Sequence, residues 1–216
     1  SEYGWEGPRE QGYKAKGLKQ LFPSNVAVFA LDEKSARHRK VSTDFIVRIG
    51  YGEIEPEDIL MLRSVLHLTE PAVQAVYQLA RKFGDKYWLE KLLKLSDAKD
   101  AQEIRQLLDE LNIHESTYRN LSRGIGSLRR FPFLISSSPE DSVNKILGHL
   151  DRGINVVLEF GRHVDFTAYI LVANLLTRRI YAQYRERTER AMGEDAPQPR
   201  PLVIAIEEAH RFLSTD

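Results

Sequence analysis

The sequence predicts an α/β protein that combines a small parallel sheet, flanking helices and an all-helical subdomain. Two observations predict this class. Apolar runs typical of buried strands lie near both ends of the chain, at 25–31 and 202–206, and amphipathic helical segments fill the middle. The last two apolar runs, at 154–161 and 202–206, are separated by a long helical pattern. Strand–helix–strand order with apolar strands is typical of a parallel sheet covered on both faces.

Residues 1–55 form the first predicted zone, an N-terminal loop and a β-hairpin part of the core. A polar, Gly-rich stretch precedes two strand-like segments, NVAVFAL at 25–31 and DFIVRIGY at 44–51. The basic segment DEKSARHRK separates them, and we expect it to be a loop. The two segments are predicted to form a β-hairpin or, alternatively, an addition to the edge of a sheet.

Residues 56–151 form the second zone, predicted to be a helical insertion subdomain. Pro56 marks a helix start with acids in the first turn, and Thr69-Glu70-Pro71 opens a second helix. Three further helices are predicted at 86–95, 100–111 and 115–129. A sixth helix follows in SSSPEDSVNKILGHL, with a Ser as its N-cap.

Residues 152–216 form the third zone, a predicted βαβ part of the core. INVVLEFG at 154–161 is typical of a strand, a helix is expected from about 165 to 192, and LVIAI at 202–206 is predicted to be a neighbouring strand. Ligand sites of parallel sheets lie at the carboxyl ends of the strands. Glu207 and Glu208 stand at that end of the last predicted strand.

Composition narrows the function classes. The 31 basic and 31 acidic residues balance, so no global basic field indicates nucleic acid. Cysteine is absent, which excludes disulfides and thiolate metal sites, and the six histidines show no metal-binding spacing. No apolar run approaches the roughly 18 residues of a membrane span. We therefore expect a soluble, cytoplasmic protein without a membrane partner.

The paired carboxylates after the last apolar run have two interpretations. Glu208 could begin a short helix, where acids are favoured by the helix dipole, with Glu207 simply turning to solvent. Alternatively, the pair is a Walker B element. One carboxylate then reaches the outer shell of a nucleotide-bound Mg²⁺, and the next orients and deprotonates the attacking water.

Three stretches carry a resemblance to a known family: IAIEEAHRF, the strand and long helix that begin at INVVLEFG, and SEYGWEG at the start. YGEIEPEDILMLRSVL also resembles the beginning of the family's helical insertion. The chain resembles the HerA and FtsK branch of RecA-like ATPases, hexameric DNA translocases, and HerA-type proteins more closely. The resemblance implies a partial RecA-like parallel sheet, with ATP and Mg²⁺ as cofactors of the intact parent.

The resemblance also implies roles for three residues. Glu208 is the expected catalytic base, Glu207 the expected Mg²⁺ ligand through water, and His210 a neighbour of the γ-phosphate. DNA, a ring of subunits expected to be a hexamer, and a nuclease are the implied partners.

A P-loop is missing from the 216 residues. It requires a Gly-rich turn that ends in Gly-Lys-Ser/Thr, and neither GYKAKG nor RGIGS has that ending. We therefore expect an internal fragment of the ATPase, cut at both ends. Such a fragment is expected to bind no nucleotide and to be inactive alone.

Two basic clusters are candidate nucleic-acid contacts. Lys34, Arg37, Arg39 and Lys40 lie between two predicted strands, where a loop tip could contact DNA phosphates. Arg129 and Arg130 belong to an arginine-rich helical segment that could contact DNA or a neighbouring subunit's nucleotide. The alternatives are an ordinary exposed loop and a solvated helical face, respectively.

A second function class stays open at this stage. In it, the helical zone is a non-catalytic interaction module that docks a partner such as a nuclease, and the βαβ unit is only scaffold. A GxxxxGK[ST] motif upstream of Ser1 would favour the enzyme over the module.

Overall fold

The structure is a computed structural model that describes residues 17–38, 42–98, 100–138, 140–161, 165–193 and 197–207. The chain divides into two compact units. The first comprises Ser1–Arg48, Glu140–Val164 and Ile180–Pro201, and the second comprises Ile49–Pro139, Asp165–Arg179 and Leu202–Asp216. The predicted three-zone division of the sequence stays a prediction.

A three-stranded parallel sheet is the centre of the first unit. Its strands are β1 (Val26–Ala30), β2 (Phe45–Ile46) and β5 (Asn155–Glu159), in the order β2-β1-β5. Val28 pairs with Val157, and Phe29 pairs with both Phe45 and Leu158. All five residues of β1 are buried, as expected for a central strand covered on both faces. The predicted α/β class with a parallel sheet is confirmed.

The predicted hairpin is wrong, and the edge strand is correct. Strands β1 and β2 pair in parallel, and helix α2 (Glu33–His38) lies between them where a loop was expected. An acid in the first turn and two basic residues in the last turn favour this helix through its dipole. A parallel pair requires such a crossover, whereas a hairpin requires a tight turn.

Two more helices belong to the first unit, α1 (Leu18–Leu21) and α8 (Ser142–Asp151). Asp141 caps α8 by accepting hydrogen bonds from the backbone N–H groups of Val143 (2.8 Å) and Asn144 (3.1 Å). The predicted Ser N-cap is therefore wrong. The hydroxyl of Ser142 instead donates to the carbonyl oxygen of Arg48 at 2.8 Å.

The second unit is mainly helical. Its helices before residue 139 are α3 (Pro56–Met61), α4 (Glu70–Phe83), α5 (Trp88–Ala98), α6 (Ala101–Leu111) and α7 (Glu115–Gly126). Strands β3 (Ile49–Gly50) and β4 (Leu134–Ile135) form a short parallel pair, and 3₁₀ turns span Tyr51–Glu53 and Ser127–Arg130. The long helix α9 (Phe166–Gly193) contributes residues to both units. The predicted helices of the middle zone and the predicted long helix are confirmed.

Caps and a buried tryptophan explain where these helices begin and pack. Pro56 is the first residue of α3, and Asp100 caps α6 by accepting from the N–H groups of residues 102 and 103. Trp88 is fully buried, and its indole N–H donates to the carbonyl oxygen of Ile54 at 3.1 Å. Gly124 allows α7 to pack closely, because a Cβ there would lie 2.6 Å from a methyl carbon of Leu68.

The predicted strand at 202–206 is wrong. These residues form no strand and join no ladder of the described residues, so the segment is not a neighbour of β5 in the sheet. Three of its four large apolar side chains are exposed, with Val203 at 88% and Ile204 and Ile206 at 45% each. An apolar run needs hydrogen-bonding neighbours to become a strand, and among the described residues the backbone of 202–206 has no ladder partner.

Candidate functional site

The carboxyl edge of the three-stranded sheet gathers acidic residues. Strand β5 ends in Glu159, whose backbone oxygen accepts from the N–H of Leu31 at 2.9 Å and extends the ladder beyond β1. Asp32 follows Leu31 in the chain and is only 7% exposed. Carboxyl edges of parallel sheets are where such folds bind ligands. The first unit therefore presents two carboxylates at the edge where chemistry is expected.

Asp32 is fixed in place by the start of helix α2. Its carboxylate accepts from the N–H of Ser35 at 2.9 Å, and its backbone oxygen accepts from the N–H of Ala36 at 3.0 Å. Ser35 is also buried. An acid is favoured at this position because it satisfies an unpaired N–H of the first turn.

Gly161 brings the chain after β5 against Asp32. Its backbone has a φ of +63°, a conformation that favours glycine. A Cβ at this position would lie 2.6 Å from the Cβ of Asp32 and 3.3 Å from the Cβ of Ser35. The close approach of these two segments therefore requires glycine.

Sequence reasoning missed Asp32 and Glu159. Both acids come at or directly after the end of an apolar strand, which is the same signal that identified Glu207. The predicted site depended on the two adjacent acids that follow the run at 202–206. Applied to every apolar strand, the signal would have identified all three positions.

Glu207, a predicted site residue, lies in the second unit and is exposed. Its backbone oxygen accepts a hydrogen bond of 2.9 Å from the hydroxyl of Tyr169, on helix α9. Its carboxylate has no hydrogen-bond or ion-pair partner among the described residues, so it is available to a ligand. Glu208 and His210 lie outside the described residues, so their predicted roles stay predictions.

The chemistry of Glu207 is suited to Mg²⁺. Proteins hold this ion through one or two carboxylates together with substrate phosphates and several waters, rather than through a complete protein cage. One accessible carboxylate fits that arrangement. Among the described residues no group of three or more His, Asp or Glu side chains could hold a metal ion by itself.

The first basic cluster lies on helix α2. Lys34 and Arg37 are exposed there, and Arg37 forms an ion pair with Glu33 one turn earlier. Arg39 and Lys40 lie outside the described residues. The exposed face of this short helix thus carries the first two cations of the predicted cluster, and their contact with nucleic acid stays a prediction.

The other two arginines bind groups of their own unit. Arg129 donates to the carbonyl oxygen of Leu93 at 2.6 Å and pairs with Asp97 at 2.8 Å. Arg130 pairs with Asp165 at 2.9 Å, and its guanidinium lies 4.8 Å from the ring centre of Phe131. Both side chains are therefore engaged in holding the helical unit.

Asp165 links Arg130 to the start of helix α9. Its carboxylate accepts from the N–H of Thr167 at 2.8 Å, an N-cap bond. Burial acts to raise the pKa of Asp165, but hydrogen bonds from Thr167 and the charge of Arg130 together hold it below its ordinary value. The ionised form of this carboxyl is thus the form that the structure favours.

A second polar cluster joins helix α9 to the start of α3. Asp58 is buried, and it accepts from Asn174 at 3.1 Å and from Arg178 at 2.9 Å. The same guanidinium pairs with Glu55 at 2.5 Å. Burial raises the pKa of Asp58 by more than the N–H of Glu55 and the charge of Arg178 lower it.

The pKa of Arg178 is raised, which favours the charged form of its guanidinium. Burial acts to lower it, yet the contacts with Glu55 and Asp58 outweigh burial and raise the pKa. The two directions differ because Asp58 is buried whereas Arg178 is partly exposed and shared between two carboxylates. Among the described residues, Arg178 is the only cation that pairs with the buried Asp58.

No helix among the described residues is long and apolar enough to cross a membrane.

The fold and the site place this protein among α/β proteins that have a parallel sheet with acids at its carboxyl edge and a helical subdomain. The family model described as the central domain of helicase HerA matches residues 1–180. The chain therefore belongs to this family of HerA-like ATPases. Comparison with curated proteins gave no match, and comparison with solved structures gave none either. The matched residues end before Glu207, so the Walker B assignment depends on the sequence pattern alone.

Proposed function

We propose that this chain is part of a HerA-like ATPase that couples ATP hydrolysis to DNA translocation as a hexameric ring in the cytoplasm. The chain supplies the Walker B acids, and residues outside the 216 supply the P-loop. The observation that carries this proposal is the family match over residues 1–180.

Glu207 would hold Mg²⁺ through a bound water. Its exposed carboxylate and the tie of its backbone to Tyr169 support this role, since the tie fixes the segment and leaves the acid accessible. When bound with the nucleotide, Mg²⁺ would neutralise the charge that develops on the phosphates. Glu208 would orient the attacking water and accept its proton, and His210 would contact the γ-phosphate region.

DNA is the proposed nucleic-acid partner. Lys34 and Arg37 are the stronger of the proposed contacts because both are exposed on α2, and Arg39 and Lys40 follow them directly. Arg129 and Arg130 are weaker proposals since each already binds an acid of its own unit. A nuclease is proposed as the protein partner.

The decisive experiment compares Glu208→Gln with Glu207→Gln in the intact protein. Glu208→Gln keeps the shape of the side chain but removes the base, so turnover should fall by about 10² to 10⁴ while nucleotide still binds. Glu207→Gln should weaken Mg²⁺-dependent nucleotide binding as well. Steady-state ATP hydrolysis and nucleotide titration at several Mg²⁺ concentrations measure both effects.

The helix-cap interpretation predicts a different outcome. If Glu208 only favours a helix start, Glu208→Gln should lower stability by about 0.3 to 1 kcal/mol and leave turnover intact. Unchanged turnover would remove Glu208 from the mechanism. Arg185→Gln, an exposed change on helix α9, is the control for nonspecific effects on the same assay.

The 216 residues alone should bind Mg-ATP more weakly than about 10 μM, roughly −7 kcal/mol. The acids would meet the phosphates without the N–H cradle and lysine of a P-loop. Isothermal titration calorimetry measures this. Tighter binding would reveal a nucleotide site built from other residues of the chain.

A further inference from the structure

A cleft between helices α5, α6 and α7 has no role in the proposed ATPase chemistry. Its volume is about 420 Å³, and its walls include Ser96, Ile104, Arg105, Leu108, Tyr118 and Arg119. A neighbouring cleft of about 370 Å³ shares Arg119 and Glu115 and adds His114 and Arg123. An apolar wall and a cationic rim therefore lie side by side in the second unit.

The hydroxyl of Tyr118 has no hydrogen-bond partner among the described residues. The side chain is only 8% exposed, so its hydroxyl atom is withheld from bulk solvent. A buried hydroxyl without a partner destabilises the folded state. A ligand that enters the cleft and displaces the atoms covering this hydroxyl would give it an oxygen partner, so the unpartnered hydroxyl in the wall is the second observation that points to a binding site.

The rim carries a surplus of positive charge. Arg105 and Arg123 are exposed and form no ion pair with any residue that the structure describes. Arg119 pairs with Glu115 at 2.6 Å. That bond, together with the charges of Arg119, Arg105 and His114, holds the pKa of Glu115 below its ordinary value. One acid is thus offset by three arginines, and an anionic group of a ligand finds two of them unpaired.

We propose that this cleft binds an acidic, aliphatic peptide segment of a partner protein. Ile104 and Leu108 suit aliphatic side chains, Arg105 and Arg123 suit a carboxylate, and the Tyr118 hydroxyl suits a peptide carbonyl oxygen. Single-stranded nucleic acid fits less well. Its recognition depends on exposed aromatic rings for stacking, whereas Tyr118 is buried.

Selection from a random library of 12-residue peptides tests the proposal without any ATPase assay, using the whole 216-residue chain as the target. Arg105→Glu serves as the counter-target. The selected peptides should be enriched in Asp or Glu next to Leu, Ile or Val. A labelled peptide from the selection should lose at least about fivefold in affinity with Arg105→Glu, measured by fluorescence anisotropy.

Two further variants separate binding from folding. Tyr118→Phe removes only the hydroxyl, so affinity should fall about three- to tenfold while the melting temperature does not fall, because the hydroxyl has no partner to lose. Arg81→Glu makes the same charge change on the exposed surface of α4 and should leave affinity unchanged.

Three results would overturn the proposal. Selected peptides could lack acidic residues, or their binding could survive both Arg105→Glu and Tyr118→Phe. A labelled thymidine 12-mer could also bind more tightly than any peptide and be lost with Arg105→Glu, which would make the cleft a nucleic-acid site. Each result is independent of ATP turnover, so it leaves the proposed ATPase function untouched.

Discussion

Two runs of five residues are both entirely apolar, yet they have opposite structures. VAVFA at 26–30 is strand β1, buried along its whole length, whereas LVIAI at 202–206 forms no strand and exposes Val203 almost completely. Strand β1 has a ladder partner on each side. The difference teaches that apolar sequence gives a segment the capacity to be a strand, and that hydrogen-bonding neighbours decide whether it becomes one.

The largest expected effect comes from placing the same charge in each run. Val28→Asp puts an unpaired carboxylate at a fully buried position, so the free energy of unfolding should fall by more than about 4 kcal/mol. Val203→Asp should change it by less than about 0.5 kcal/mol because that side chain is exposed. Urea denaturation of both variants gives the comparison. Equal losses would show that 202–206 is buried in solution.

A buried charge needs ionic or hydrogen-bonding partners, just as a strand needs ladder partners. Asp58, in the second unit, tests this requirement. Arg178→Ala leaves Asp58 without its guanidinium, so we expect a loss of about 3 kcal/mol at pH 7. Arg185→Ala, which removes an exposed pair with Glu189, should leave the melting temperature unchanged.

The effect of Arg178→Ala should depend on pH. The pKa of Asp58 is already raised above its ordinary 3.8, and removal of the cation raises it further. The folded variant therefore holds its proton where the unfolded chain has released it, so stability decreases as pH rises through this window. The loss should be largest at pH 7 and shrink toward pH 4. A loss that is constant with pH would mean that Asp58 is not the group left unpaired.

How far the sequence predicts this molecule follows from the same contrast. Period and start signals located the helices of the second unit because Pro56, the segment Thr69-Glu70-Pro71 and the apolar stripes act within a few residues of themselves. The parallel pairing of β1 with β2, the cap at Asp141 and the exposure of 202–206 depend on partners distant in sequence or on competition between adjacent candidates. Local chemistry is predictable from sequence, and partner choice is not.

The candidate site shows the same limit. Glu207 was identified from its position after an apolar run, yet the run is not a strand. Glu159 ends β5 and Asp32 comes two residues after the end of β1, and neither was predicted. Their proximity depends on the register that pairs Ala30 with Glu159, and no local pattern reports that register.

Glycines on either side of β5 give a smaller, paired test. Gly161→Ala forces a side chain into the left-handed region and against Asp32, so stability should fall by about 2 to 3 kcal/mol. Gly148→Ala, within helix α8 where nothing lies within 4 Å of the added carbon, should instead raise stability by about 0.5 to 1 kcal/mol. Thermal unfolding measures both. A neutral Gly161→Ala would mean that the chain after β5 can move away from Asp32.

The smallest effect concerns what holds the exposed run in place. Tyr169 donates its hydroxyl to the backbone oxygen of Glu207, and this bond is exposed, so Tyr169→Phe should change global stability by less than about 1 kcal/mol. Its local effect should be greater. Without a ladder, the backbone of 202–207 depends on such individual bonds, so its amide hydrogens should exchange faster in the variant while those of β1 keep their protection. Hydrogen–deuterium exchange with mass spectrometry resolves the two segments in one experiment. If the amide hydrogens of 202–207 exchange equally fast before and after the substitution, contacts other than the Tyr169 bond fix Glu207. The lack of ladder partners would then not explain why this run is exposed.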